Sequence, residues 1–189
     1  MTKIGIIIGS TRPGNVGDQV AKWVLEQSKK HSDVEFELVD IADYDLPLLD
    51  EPYPAGMNKY MKDHTKTWSK KINEFDGYVI VTPEYNHSTS AALKNAIDYL
   101  NIEWANKAAG FVSYGSANGV RAVEHLRNIF AELRVATVRS QVMLSLFTDF
   151  KDMSEFTPDQ RHEATADALF EDLKSWSHAL KSVRSNNSL

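Results

Sequence analysis

Three short segments of the sequence combine small, polar and glycine residues in patterns suited to holding a ligand. The first is Gly9-Ser10-Thr11-Arg12-Pro13-Gly14-Asn15-Val16-Gly17, which joins an apolar run to an amphipathic one. A helix starting here offers unpaired backbone N–H groups and the positive end of its dipole, and both favour an anion. Ser10 and Thr11 add hydroxyl donors, and Arg12 adds a cation that can grip a phosphate through two N–H groups. The glycines let the backbone approach closely. Spacing excludes two familiar phosphate loops. Gly9 and Gly14 are separated as in a Walker loop, but Asn15-Val16 stands where Lys-Ser/Thr is required. The G-x-G-x-x-G dinucleotide fingerprint is also absent. What remains is a loop for a monophosphate, or an ordinary capped turn with Arg12 in solvent.

The second segment is Pro83-Glu84-Tyr85-Asn86, with His87-Ser88-Thr89-Ser90 leading into a helix. Pro83 restricts the turn, and exposed N–H groups of residues 84–87 are expected to bond one edge of a flat heterocycle. Such bonds tune a ring's electron affinity without supplying a proton donor. Glu84 reads equally well as a helix-capping or interface carboxylate, and Asn86 as a turn former. Tyr85 either covers a ring or packs on a neighbour. The third segment, Ser113-Tyr114-Gly115-Ser116-Ala117-Asn118-Gly119, offers amides to a pyrimidine-like edge and leaves room for a planar ligand. By itself it also reads as a glycine-rich helix start.

The elements that must position these segments follow from periodicity. Lys3–Gly9, Val34–Asp40, Gly77–Thr82, Ala108–Tyr114 and Val135–Val138 read as strands. Helical spacing marks Val16 to Ser28, Asn58 to Glu74 (Met61, Thr65, Trp68 and Ile72 inward), Ser90 to Ile102 and Val120 to Leu133. Ile41–Gly56 is expected as a long surface loop and Phe147–Thr157 as irregular. A terminal helix opens at Pro158 and runs to about Val183, giving a single domain over 1–183 and a frayed tail over 184–189. Strands alternating with helices imply a parallel sheet covered on both faces. The expected fold is a flavodoxin-like three-layer α/β/α sandwich with five parallel strands in the order 2-1-3-4-5. Its ligand crevice lies outside the carboxyl ends of strands one, three and four. The three polar segments fall at those junctions.

Composition narrows the chemistry. The 189 residues are 42% hydrophobic and 25% charged, with a formal net charge of −5. This argues against a nucleic-acid surface or a polybasic membrane anchor. There are no cysteines, which excludes disulfides, thiolate nucleophiles, iron–sulfur clusters and Cys-type zinc sites. The six histidines are scattered, none three to five residues from another, so no metal site is expected. No stretch matches a membrane helix or a signal peptide, and a cytoplasmic protein is expected.

With Leu93-Lys94-Asn95-Ala96-Ile97-Asp98 added to the three segments, residues 3–140 resemble the NADPH-dependent FMN reductase family, which includes quinone, azo and chromate reductases. The Pro-Glu-Tyr-Asn and Leu-Lys-Asn-Ala-Ile-Asp stretches are the most specific part. The resemblance implies tightly bound FMN, NADPH or NADH as co-substrate, and a homodimer or homotetramer with the flavin near a subunit interface. It implies that Ser10, Arg12 and the turn Asn15-Val16-Gly17 hold the phosphate. Pro83, Glu84, Tyr85 and Asn86, with Ser113, Tyr114, Gly115 and Gly119, would surround the isoalloxazine. Ser90-Ala91 and Asn118-Gly119 depart from the Pro-Gly and Gly-Gly pairs common in the family.

The expected activity is transfer of hydride from nicotinamide to FMN, then of electrons to a small acceptor in ping-pong order. The chemistry would sit on the cofactor, with no catalytic side chain. The rival is an electron carrier or flavin-binding sensor reduced by a partner protein; the cation Arg12 in the phosphate loop argues against it. Trp23 and Trp68 are expected in the core and Trp104 at a protein contact. Lys94, Asn95 and Asp98 are expected to fix their helix or form an interface, and His87 to be exposed and uninvolved.

Overall fold

A computed structural model describes residues 1–186. Strands β1 (Thr2–Ile8), β2 (Val34–Asp40), β3 (Gly77–Pro83), β4 (Ala108–Gly115) and β5 (Ala136–Ser145) form one parallel sheet in the order β2-β1-β3-β4-β5. Helices α1 (Gly17–Ser28) and α5 (Arg161–Asn186) cover one face; α2 (Asp63–Asn73), α3 (Ala91–Asp98) and α4 (Val120–Glu132) cover the other. This is the doubly wound arrangement that the alternation of patterns predicts. Every residue of β3 and β4 is buried, because helices lie on both sides of the central strands.

The face under α2, α3 and α4 is rich in aromatic rings. Trp104 is 1% exposed and packs edge-on against Trp68, Tyr78 and Phe130, with centroids 6.3, 5.0 and 5.9 Å away. It belongs to the core, not to a protein contact. α3 stops at Asp98, short of the expected Ile102, and the turn that follows delivers Trp104 inward. α2 starts at Asp63, so Met61 precedes the helix and is exposed rather than inward. The loop carboxylate Glu51 accepts the N–H groups of Met61 and Lys62 at 2.8 and 2.9 Å and thereby fixes that start. Two one-turn 3-10 helices, Ile41–Tyr44 and Ala55–Met57, interrupt the expected surface loop.

Beyond the fourth helix the chain is more ordered than its sequence suggests. β5 extends to Ser145, and Phe150–Lys151 pairs antiparallel with Glu155–Phe156. This small hairpin packs Phe150 on Tyr114 and Phe156 on Trp23. Gln19 clamps it, donating to Ser154 O and accepting from Phe156 N–H, each at 2.9 Å. α5 continues past Val183 to Asn186, and Arg184 pairs with Asp76, so residues 184–186 are not frayed as expected. Residues 187–189 lie outside the described residues.

Candidate active site

Parallel pairing sets the carboxyl ends of β1, β3 and β4 side by side. Gly9 N–H donates to Val81 O at 2.8 Å, and Pro83 stands in register with Tyr114. The loops leaving these ends therefore share one rim.

In the first loop, buried Ser10 meets Tyr85, with Oγ and OH 3.0 Å apart. Arg12 Nε donates to the same Tyr85 hydroxyl at 3.1 Å. A guanidinium has only donors, so Tyr85 accepts from Arg12, while either hydroxyl can donate in its contact with Ser10. Asn15 shapes the start of α1: its Oδ1 accepts Gly17 N–H and its Nδ2 donates to Arg12 O, both at 2.9 Å. Val16 occupies the N-cap position and contributes no capping side chain. Of the expected phosphate residues, Ser10, Arg12, Asn15, Val16 and Gly17 thus form one continuous turn.

The second loop differs from expectation in its amides. Glu84 N–H donates to Tyr114 O at 3.0 Å, and Tyr85 and Ser88 exchange backbone bonds at 2.9 and 3.1 Å. Those of Glu84 and Tyr85 are consumed, because the chain closes a two-residue turn through Asn86 (φ 47°) and His87 (φ 71°). The N–H groups of Asn86 and His87 have no hydrogen-bond partner among the described residues. Of the roles open to Glu84, helix capping is the one observed. Its carboxylate, 3% exposed, accepts Arg121 N–H at 3.0 Å and Arg121 Nε at 2.6 Å. Arg121 escaped the sequence reading. α4 has Gly119 at its N-cap and no capping side chain of its own, and the Glu84 carboxylate takes that place.

In the third loop, Ser113 Oγ donates to Asn118 O at 2.8 Å and accepts from Gln141 Nε2 at 3.2 Å. Its hydroxyl fixes the loop and faces no opening. Gly119 has φ +71°, and a Cβ there would lie 2.5 Å from Ser113 Cβ, so only glycine fits. Gly115 lies against Glu84 and accepts N–H bonds from Asn118 and Leu146. Tyr114 is 5% exposed, and its hydroxyl has no hydrogen-bond partner. Burial pushes this phenol well above its ordinary range. A Cβ on Gly17 would lie 2.9 Å from that oxygen, which places it at the start of α1.

The three segments therefore converge. Tyr85 ties the first loop to the second, Tyr114 ties the third to both, and Glu84 links the second to the third. Two hollows flank the rim. One of about 460 Å³ is lined by Thr11, Ile41, Leu46, Pro47, Ala92 and Asn95. Another of about 500 Å³ lies beside Ser88, Lys94, His125 and Asn128. The side chain of Asn95 holds the 47–49 loop instead of its own helix, accepting Leu49 N–H and donating to Pro47 O. His87 is not isolated: its Nδ1 lies 3.0 Å from Arg121 Nη1. No group of three His, Asp or Glu side chains placed to hold a metal occurs among the described residues. No helix among them is long and apolar enough to cross a membrane.

Comparison with known proteins places the chain in a family. The sequence model of the NADPH-dependent FMN reductases matches residues 2–149. An NAD(P)H-dependent FMN reductase of a Nectria species is 37% identical over 158 residues, 79% of this chain and 79% of its own. One from Schizosaccharomyces pombe is 41% identical over 138 residues, 71% of this chain and 69% of its own. Among solved structures, the flavoenzyme NAD(P)H:(acceptor) oxidoreductase FerB of Paracoccus denitrificans superposes with a TM-score of 0.70 at 18% identity. The match covers 93% of this chain and 98% of that one, and shows a shared fold. The chain belongs to the NADPH-dependent FMN reductase family.

Proposed function

We propose that the protein is an FMN-dependent NAD(P)H oxidoreductase, and that the rim joined by Tyr85 and Tyr114 is its flavin site. The observation that carries this reading is the convergence of three polar loops from three adjacent strand ends. The polar groups left over fit the cofactor. Two turn amides are free, and Arg12 is a cation within reach of both loops.

Ser10, Arg12 and the turn Asn15-Val16-Gly17 would hold the phosphate, using hydroxyl, guanidinium and helix-start amides. Pro83, Asn86, Tyr114, Gly115 and Gly119 would border the isoalloxazine. Glu84 and Ser113 act one step back, fixing the loops that do the touching, and Tyr85 locks the phosphate turn to the ring-binding turn. FMN, when bound, would supply the redox chemistry, namely acceptance of hydride from NADPH or NADH and delivery of electrons to a small acceptor such as a quinone, azo compound, nitroaromatic, chromate or free flavin. The protein's part is to present one open face, to which nicotinamide and acceptor come in turn, and to keep water from the other. Its assembly as a homodimer or homotetramer is checked by sedimentation.

The test is direct. Purified protein should be yellow, and anaerobic NADPH or NADH should bleach it. A colourless protein that takes up no added FMN would refute the proposal.

A further inference from the structure

The turn Tyr85–Ser88 is built in an unusual way. Asn86 and His87 are consecutive, neither is glycine, and both hold positive φ. Such a conformation is strained and persists only where surrounding contacts enforce it. Here the contacts can be followed. The Glu84 carboxylate, almost fully buried, grips Arg121 through its backbone N–H and its guanidinium. The guanidinium then reaches the turn, with Nη1 3.0 Å from His87 Nδ1. His125 supports the same turn from below, its Nδ1 2.8 Å from Ser88 Oγ.

The chemistry of this contact fixes the imidazole. Arginine offers only N–H donors, so His87 Nδ1 meets it as an acceptor and carries no proton. The ring proton of neutral His87 then resides on Nε2. That nitrogen has no hydrogen-bond partner among the described residues, and the ring is exposed at the rim. The result is a donor of fixed identity on a turn whose backbone is locked, next to the two free amides.

We infer that His87 is an acceptor-binding residue, whose Nε2–H donates a hydrogen bond to a lone pair of the electron acceptor, with Arg121 as the positioning residue that sets its tautomer. This rests on the flavin-site reading above. The matching acceptor class carries an oxygen or nitrogen that gains electron density on reduction, such as a quinone carbonyl or an azo nitrogen. Donation to that atom strengthens as charge builds on it. The imidazole keeps its proton throughout, so the protons that complete the reduced product come from solvent.

Two substitutions separate the donor from the turn. His87→Asn favours the left-handed backbone but does not extend to the Nε2 position, whereas His87→Gln places an amide N–H near it. Turnover is measured with 1,4-benzoquinone and with ferricyanide, an outer-sphere oxidant that needs no such bond, and expressed as a ratio. The ratio should fall about tenfold in His87→Asn and largely recover in His87→Gln. An unchanged ratio in His87→Asn overturns the inference. Independently, 15N NMR of the flavin-loaded wild-type protein at pH 8 should show the His87 proton on Nε2, and a proton on Nδ1 overturns the assignment. Failure to bind FMN or to be bleached by nicotinamide is read from the absorbance of the same samples and refutes the underlying flavin reading instead.

Discussion

The two ends of the sheet use polar residues in opposite ways. At the amino ends of the strands, Asp76 accepts Lys3 N–H at 3.1 Å and Lys181 Nζ at 2.9 Å, and pairs with Arg184. Lys107, 3% exposed, donates to Ile72 O and Tyr78 OH, both at 3.0 Å. Even the one buried hydroxyl without a partner here, Ser177 Oγ, is sealed: a Cβ on Gly77 would lie 2.3 Å from it. At the carboxyl ends, the polar groups brace one another but leave the two turn amides of Asn86 and His87 without a partner among the described residues. Charge and burial alone do not mark a site. The closed end holds α5 on the sheet, and the open end is the one proposed above to receive the flavin.

Substitutions should separate the two ends. The largest effect is expected at the closed end. Asp76→Ala leaves two cations without their carboxylate and should cost about 3 kcal/mol in urea unfolding, with FMN affinity kept within a few-fold. A comparable loss of FMN affinity would break the contrast.

Lys107 sharpens the contrast through pH. Burial pulls its ammonium from 10.5 down to about 7. Between those values the unfolded chain binds a proton that the folded one has released, so stability should rise with pH. The rise should reach roughly 2 kcal/mol from pH 7 to 9, measured by urea unfolding, and should be missing in Lys107→Met.

The open end should respond through ligand binding instead. Arg12→Ala should weaken FMN by about thirtyfold while leaving apo-protein melting nearly unchanged, read by flavin fluorescence quenching and calorimetry. The smallest effect is expected from Tyr114→Phe, and it should carry two signs. Removing a buried hydroxyl that has no partner should leave the apo protein equally stable or up to about 1 kcal/mol more stable, while FMN binding weakens by a few-fold.

The strands and their order were legible because β3 and β4 are short runs of apolar residues between turn signals, and five such runs alternate with helical spacing. That the three loops meet at one rim was legible from the strand order. Their partners were not. That Glu84 caps α4 and holds Arg121 depends on residues 37 positions apart meeting, and no local pattern encodes it. The amides of Glu84 and Tyr85 were misjudged because a strand ladder and a tight turn compete for the same donors as a ligand does. Trp104 was misplaced because it follows a helix that ends early, where spacing carries no information about direction. The hairpin at Phe150 and Phe156 depends on Trp23, Tyr114 and Gln19, and residues 147–157 alone do not specify it.

The most direct measurement is a backbone amide NMR map of the apo protein titrated with FMN. Shifts concentrated in residues 10–17, 85–88 and 114–119, with Asp76, Tyr78 and Lys107 silent, are the expected result. Shifts centred on the amino ends of the strands, or none at saturating FMN, would contradict it.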